Sequence, residues 1–89
     1  MRPVAKIYYS SLFGRAFKKL PIKFLSEVKK RENMFRKDCF DFRLKTHKLK
    51  GRHKVFWSFS ITRKHRVMFR FISSDAVLFI DVGDHSIYQ

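Results

Sequence analysis

Residues 55–82, VFWSFSITRKHRVMFRFISSDAVLFIDV, decide the fold class, because their apolar side chains alternate with a period of two. Three β-strands joined by tight turns are predicted, over 55–62, 65–72 and 76–82. The third strand is apolar on both faces until Asp81, so we expect it to lie in the centre of a sheet. One face of this three-stranded meander would carry Ser58, Ser60, Arg66, Met68 and Arg70.

The N-terminal half of the chain shows a short strand and then helical spacing. Residues 4–9, VAKIYY, predict a strand, which we expect to pair with the third strand of the meander. An amphipathic helix follows, with Ser10 or Ser11 as its N-cap. Its apolar face is formed by Phe13, Ala16, Phe17 and Leu20.

A second helix is predicted from Pro21 to about residue 37, since proline suits the first turn of a helix. Its apolar stripe contains Leu25, Val28 and Phe35. Two acid–base pairs at a spacing of four residues support the helix, Glu27–Arg31 and Glu32–Arg36.

Residues 38–54 show no clean period, and we expect them to form a loop. The predicted fold is therefore α+β in the order β-α-α-β-β-β. The N-terminal helical hairpin would pack on one face of a small, mainly antiparallel sheet. A chain of 89 residues has room for one hydrophobic core, so residues 1–89 are predicted to form a single domain.

The charge of the chain predicts a polyanionic partner. There are 21 Lys and Arg against 7 Asp and Glu, a formal net charge of +14, while an apolar fraction of 45% argues against a disordered polycation. No acidic residue occurs between Phe42 and Ser74. This stretch is either a solvated basic loop or, as we favour, a surface that follows nucleic-acid phosphates. The candidate phosphate-binding residues are Arg43, Lys45, Lys48, Lys50, Arg52 and Lys54.

Several classes of protein are disfavoured. No apolar run approaches the roughly 18 residues that would cross a bilayer, and the N-terminus lacks the apolar core of a signal peptide, so we expect no membrane association. Cys39 is the single cysteine, which suits a reducing, cytoplasmic location and excludes a cysteine metal cluster. The four histidines do not form a spaced ligand set, and we predict no metal and no cofactor.

The remaining polar residues suit RNA cleavage without a metal ion. That reaction needs a base for the 2′-OH, an acid for the leaving 5′-oxygen and cations on the phosphorane. The candidates are His47 in the basic loop, Arg66 on the second meander strand, and His85 with Tyr88 near the C-terminus. Each also has a simpler interpretation: His47 as a solvated loop residue, Arg66 as a surface charge, His85 as a cap of the last strand, and Tyr88 as packing on the sheet. Trp57 is expected in the core, or alternatively as a base-stacking platform.

Three segments in this order carry a resemblance to a known family: LKTHKLKG (44–51), FWSFSITRKHRVMF (56–69) and DVGDHSIY (81–88). Together they resemble the RelE/ParE toxin superfamily, in particular the YafQ- and YoeB-like mRNA interferases of type II toxin–antitoxin systems. The resemblance implies a RelE-like microbial RNase fold and cleavage of mRNA on the ribosome. It also implies a cognate antitoxin, usually acidic, with the toxin a monomer alone and part of a hetero-oligomer with that partner.

The resemblance assigns roles to the same residues. His47 matches a loop histidine of the YafQ- and YoeB-like proteins, Arg66 a phosphate-stabilising arginine, His85 the C-terminal catalytic histidine, and Tyr88 a terminal aromatic residue. Arg43 stands where YoeB-like proteins carry a glutamate, and Ser58 and Ser60 stand near the catalytic lysines of RelE-like proteins. The match therefore favours His47 and His85, in either order, as base and acid. Lys45, Lys48 and Lys50 would contact flanking phosphates or ribosomal RNA.

Two other functions suit the same sequence. The first is inhibition of DNA gyrase by a ParE-like protein of this fold, a branch that lacks the catalytic histidines. The second is RNA binding without catalysis, which the positive charge alone would support.

Overall fold

The computed structural model describes residues 1–53 and 55–88, and for Arg52 the backbone alone. Within this part of the chain there are two α-helices and five strands: β1 (Lys6–Tyr9), α1 (Ser11–Lys18), α2 (Leu25–Lys37), β2 (His47–Lys48), β3 (Trp57–Ser60), β4 (Arg66–Phe71) and β5 (Ala76–Gly83). Short 3-10 turns lie at Ile22–Phe24, Phe42–Leu44, Gly51–His53 and His85–Tyr88. None of the described helices is long and apolar enough to cross a membrane.

The strands form one sheet in the order β1-β5-β4-β3-β2. β1 runs parallel to β5, and the other neighbours are antiparallel. The predicted central position of the third meander strand (β5) and its pairing with the N-terminal strand are both confirmed. The α+β class is confirmed as well.

Both helices pack on one face of the sheet and bury an aromatic core. Ser10 caps α1 by accepting a hydrogen bond from the backbone N–H of Phe13, which is buried beneath the helix. On α2, the fully buried ring of Phe35 contacts rings from three strands. The centroid distances are 4.8 Å to Phe59, 5.0 Å to Phe69 and 5.4 Å to Phe79. This contact between helix and sheet holds the hairpin in place.

Several predicted boundaries are wrong. Pro21 does not enter the second helix; it precedes the 3-10 turn Ile22–Phe24, and α2 starts at Leu25. The first meander strand starts at Trp57, and Val55 lies outside it with an exposed side chain. The expected loop 38–54 contains the two-residue strand β2, which pairs with the edge of β3. A strand this short has no internal period, so only its partner defines it.

The second face of the sheet is covered in part by the C-terminal turn His85–Tyr88. The register places Ser58 opposite Met68 and Ser60 opposite Arg66, so these four residues share one face, as predicted. Ser58 is nevertheless fully buried, and the hydroxyl of Tyr88 lies 2.5 Å from its Oγ. Trp57 points to the other face, where its half-buried ring packs beside the core against Phe40 and Phe71.

Candidate functional site

A basic cleft of about 610 Å³ opens where β3 turns into β4. Among the described residues, five cationic side chains line it together with Ser60, Ile61 and Thr62, and none of the lining residues is acidic. A cleft lined by one sign of charge concentrates ligands of the opposite sign. The cations are Arg31, Arg43, Lys45, Arg63 and Arg66.

Arg66 is held in this cleft by its neighbour on β3. It is the first residue of β4 and lies directly opposite Ser60, so both side chains emerge on the same face. Its Nη1 donates a hydrogen bond to Ser60 Oγ. The bond fixes the guanidinium at the floor of the cleft, where its planar fork suits phosphate oxygens.

Asp41 organises the turn that carries Arg43 and Lys45. The Asp41 carboxylate accepts from the backbone N–H of Arg43 and forms two bonds to its guanidinium, at 3.0 and 2.7 Å. These bonds lower the pKa of Asp41 to about 2 and raise the pKa of Arg43. Lys45 ends the turn with a φ of 53°, and it is the single non-glycine residue with positive φ among those described.

Ser58 on β3 lies opposite His47 on β2 and forms a hydrogen bond with Tyr88. The β2–β3 register places His47 opposite Ser58, so the His47 side chain lies on the face that Tyr88 covers. His47 is exposed, and its Nδ1 lies 2.9 Å from the carbonyl of Lys45. The main-chain carbonyl of Tyr88 is itself bound by His53 Nε2, at 2.5 Å. The C-terminal turn is therefore tied to both β3 and the basic loop.

His85 stands at the start of the C-terminal turn. Its ring packs edge-on against Tyr88, with 5.8 Å between centroids. It lines a shallow depression with Arg63, Lys64 and Asp84, and because Arg63 also lines the basic cleft, the two concavities are adjacent. The pKa of Asp84 is lowered, first by the hydrogen bonds from Ser86 and further by His65 and His85 nearby.

The structure brings together some of the predicted site residues and not others. Arg43, Lys45 and Arg66 line one cleft, and His85 packs against Tyr88 beside the adjacent depression. His47 lies on β2 opposite Ser58, and its ring contacts neither His85 nor Tyr88 among the described interactions. Lys48 lies opposite Trp57, on the other face of the sheet, and Lys50 does not line the cleft. The side chain of Arg52 and all of Lys54 lie outside the described residues.

Sequence reasoning missed two cations of the cleft. Arg63 sits in the tight β3–β4 turn, where a surface charge is the ordinary expectation. Arg31 was predicted solely as the partner of Glu27, a pair that does form at 2.8 Å. No local pattern indicates that Arg31 also faces the basic cleft, since that contact is made across the tertiary structure.

Comparison of the fold with solved structures gives full-length matches at low sequence identity. YafQ from E. coli strain BL21(DE3) superposes with a TM-score of 0.76 at 14% identity, over 99% of this chain and 98% of that one. A YoeB/ParE toxin from Agrobacterium tumefaciens superposes with a TM-score of 0.73 at 19% identity, and the match covers 91% of this chain and 99% of that one. A chain of the E. coli DinJ–YafQ toxin–antitoxin complex superposes with a TM-score of 0.74 at 15% identity, and the match covers 91% of this chain and 92% of that one.

The chain has the RelE/ParE toxin fold. The fold implied by the three sequence segments is thereby confirmed. No family model matches the sequence, and no curated protein is similar to it in sequence. Because the sequence identities to the solved structures are low, the RelE/ParE fold is established by structural superposition alone.

Proposed function

We propose that this RelE/ParE-fold protein is the toxin of a type II toxin–antitoxin system and a ribosome-dependent endoribonuclease that cleaves mRNA. The observation that carries the proposal is the basic cleft around Arg66, which shares Arg63 with the adjacent depression lined by His85. Cations suited to phosphate thus lie next to an imidazole suited to proton transfer, that of His85. YafQ, which has the same fold, forms a toxin–antitoxin complex with DinJ.

The proposed reaction needs no group beyond the RNA and these side chains. The ribose 2′-oxygen attacks the neighbouring phosphorus while one imidazole removes its proton. The bond from phosphorus to the 5′-oxygen then breaks, and the other imidazole protonates that leaving oxygen. Arg66 stabilises the charge on the pentacoordinate phosphorane. The products are a 2′,3′-cyclic phosphate and a 5′-hydroxyl end, with His47 and His85 sharing the base and acid roles.

The proposed partner is an acidic antitoxin. A net charge of +14 repels other copies of the chain and attracts an acidic segment, which would neutralise the cleft and block access to it. We propose a monomer in the free state, a hetero-oligomer with the antitoxin, and action in the cytoplasm, where ribosomes and mRNA are available. Residues 1–89 would act as a single toxin domain.

Growth arrest on induced expression tests the proposal at two positions. His85→Ala should abolish arrest and leave antitoxin binding intact. Arg66→Gln should also abolish it, whereas Arg70→Gln, an exposed position on the same strand outside the cleft, should remain toxic. A fully toxic His85→Ala protein would rule out the histidine mechanism.

The mode of toxicity separates this proposal from its main competitor. One solved structure with this fold is described as a YoeB/ParE toxin. If the protein inhibited gyrase, expression would produce gyrase–DNA cleavage complexes and leave mRNA intact. If it bound RNA without catalysis, it would retain messages unbroken in a translating extract.

A further inference from the structure

Helix α2 contributes one side chain to the basic cleft, Arg31. Its Nε donates to Glu27 Oε2 at 2.8 Å, and its Nη1 donates to the main-chain carbonyl of Arg43, also at 2.8 Å. A guanidinium carries five N–H groups, so these two bonds do not exhaust it. Because Arg31 lines the cleft, the remaining N–H groups are available to an anion there.

The bond to Arg43 ties α2 to the turn that carries the other cations. The carbonyl belongs to the 3-10 turn Phe42–Leu44, which leads directly into Lys45. Arg31 is therefore the side chain through which the second helix fixes the cationic wall of the cleft. A guanidinium already held by two hydrogen bonds loses little conformational entropy when it binds a further ligand.

Arg36 on the same helix provides the contrast. It pairs with Glu32 at the same four-residue spacing, 3.8 Å apart, but it does not line the cleft. Glu32 also accepts a hydrogen bond from the Tyr9 hydroxyl at 2.7 Å, which places this pair beside β1, at the opposite edge of the sheet from β2. Two arginines with matching ion pairs thus face different surfaces.

We propose that Arg31 binds a backbone phosphate of single-stranded RNA in the basic cleft, next to the phosphate held by Arg66, and positions the Phe42–Lys45 turn for the same RNA. The inference rests on the proposed function for its ligand. It extends the RNA site from the sheet to helix α2. Arg31 is a binding and positioning residue, because it acts on a phosphate that flanks the reaction.

The salt dependence of RNA binding tests the phosphate contact directly. For single strands, the slope of log K against log[salt] is about −0.7 for each phosphate neutralised. Arg31→Gln should therefore make the slope for a 2′-O-methyl RNA oligonucleotide, which cannot be cleaved, shallower by about 0.7. Arg36→Gln removes the same charge from the same helix and should leave the slope unchanged. Equal slopes for wild type and Arg31→Gln would overturn the proposal.

Arg31→Lys separates charge from position and remains useful if Arg31→Gln does not fold. A lysine keeps the positive charge but cannot hold Glu27 and the Arg43 carbonyl with a planar fork. The slope should stay at the wild-type value, while mRNA cleavage falls at least tenfold. Cleavage equal to wild type would overturn the positioning role.

The same measurements distinguish failure of this inference from failure of the proposed function. Suppose that wild type never cleaves a translated message, but Arg31→Gln still has a salt slope shallower by the amount expected for one phosphate contact. The endoribonuclease proposal then fails and the Arg31 site stands. If wild type cleaves and the slopes of Arg31→Gln and Arg36→Gln are identical, the proposed function stands and the Arg31 site is wrong.

Discussion

Lys45 shows at the scale of one residue how the cleft constrains the backbone. Its φ of 53° belongs to the left-handed region, which costs a residue with a Cβ roughly 1–2 kcal/mol. Glycine is the residue that helices and turns ordinarily use at such a position. A lysine here retains a cation on the wall of the cleft despite the backbone strain, as is common at functional sites.

Replacement of Lys45 by glycine and by alanine separates strain from charge. Lys45→Gly should unfold in urea with a free energy about 1 kcal/mol higher than Lys45→Ala, since only alanine retains the strained Cβ. Both variants should bind single-stranded RNA more weakly than wild type, and by the same factor. Equal stability of the two variants would show that the left-handed conformation is not maintained in solution.

The Asp41–Arg43 pair predicts a defined acid dependence of stability. The pKa of Asp41 in the folded protein is about 2, below the value of 3.8 for an unperturbed aspartate. The ionised carboxylate therefore stabilises the fold above pH 4, and that contribution is lost as the pH falls towards 2. Asp41→Asn should lack this component, so the difference in urea midpoint between wild type and variant should shrink between pH 4 and pH 2. A constant difference would contradict the pairing.

At the scale of elements, the C-terminal turn His85–Tyr88 carries His85 and docks on the sheet. The Tyr88 hydroxyl forms a hydrogen bond with Ser58. Ile87 packs closely on Gly83, because a Cβ added at position 83 would lie 2.8 Å from the Cγ2 atom of Ile87. Asp84 bonds the backbone of Ser86 and closes the turn. The position of His85 therefore depends on how this turn docks.

A double-mutant cycle on Tyr88 and Ser58 tests the docking contact. Tyr88→Phe leaves the buried Ser58 hydroxyl without this partner, which should lower the free energy of unfolding by about 1–3 kcal/mol. Ser58→Ala combined with Tyr88→Phe should recover part of that loss, because both polar groups are then gone. Additive effects of the two substitutions in urea unfolding would show that the two hydroxyls are not coupled.

The elements could be predicted from sequence where a period extends over several turns or strand residues. The alternation in 55–82 predicted the meander, and the two apolar stripes, one with Phe13 and one with Phe35, predicted the helical hairpin. β2 could not be predicted, since a strand of two residues is defined by its partner β3. For the same reason Ser58 was recognised only as a member of the polar face, and its bond to Tyr88 spans 30 residues of sequence.

At the scale of the whole molecule, the net charge of +14 is concentrated by folding. Arg31 comes from α2, Arg43 and Lys45 from the turn before β2, and Arg63 and Arg66 from the β3–β4 region. The acid-free sequence stretch supplies four of these five cations, and the helix supplies the fifth. A polyanion attracted by the overall charge would thus meet these five cations in one cleft, next to the depression that contains His85.

The most direct test of the account is the mapping of message ends in a translating extract supplied with the purified protein. We predict discrete breaks within the translated reading frame, carrying 5′-hydroxyl ends, that appear with wild type and with Arg70→Gln and are absent with Arg66→Gln and His85→Ala. A message that stays intact in the presence of folded, RNA-binding wild-type protein would contradict the assignment of this chain as an endoribonuclease.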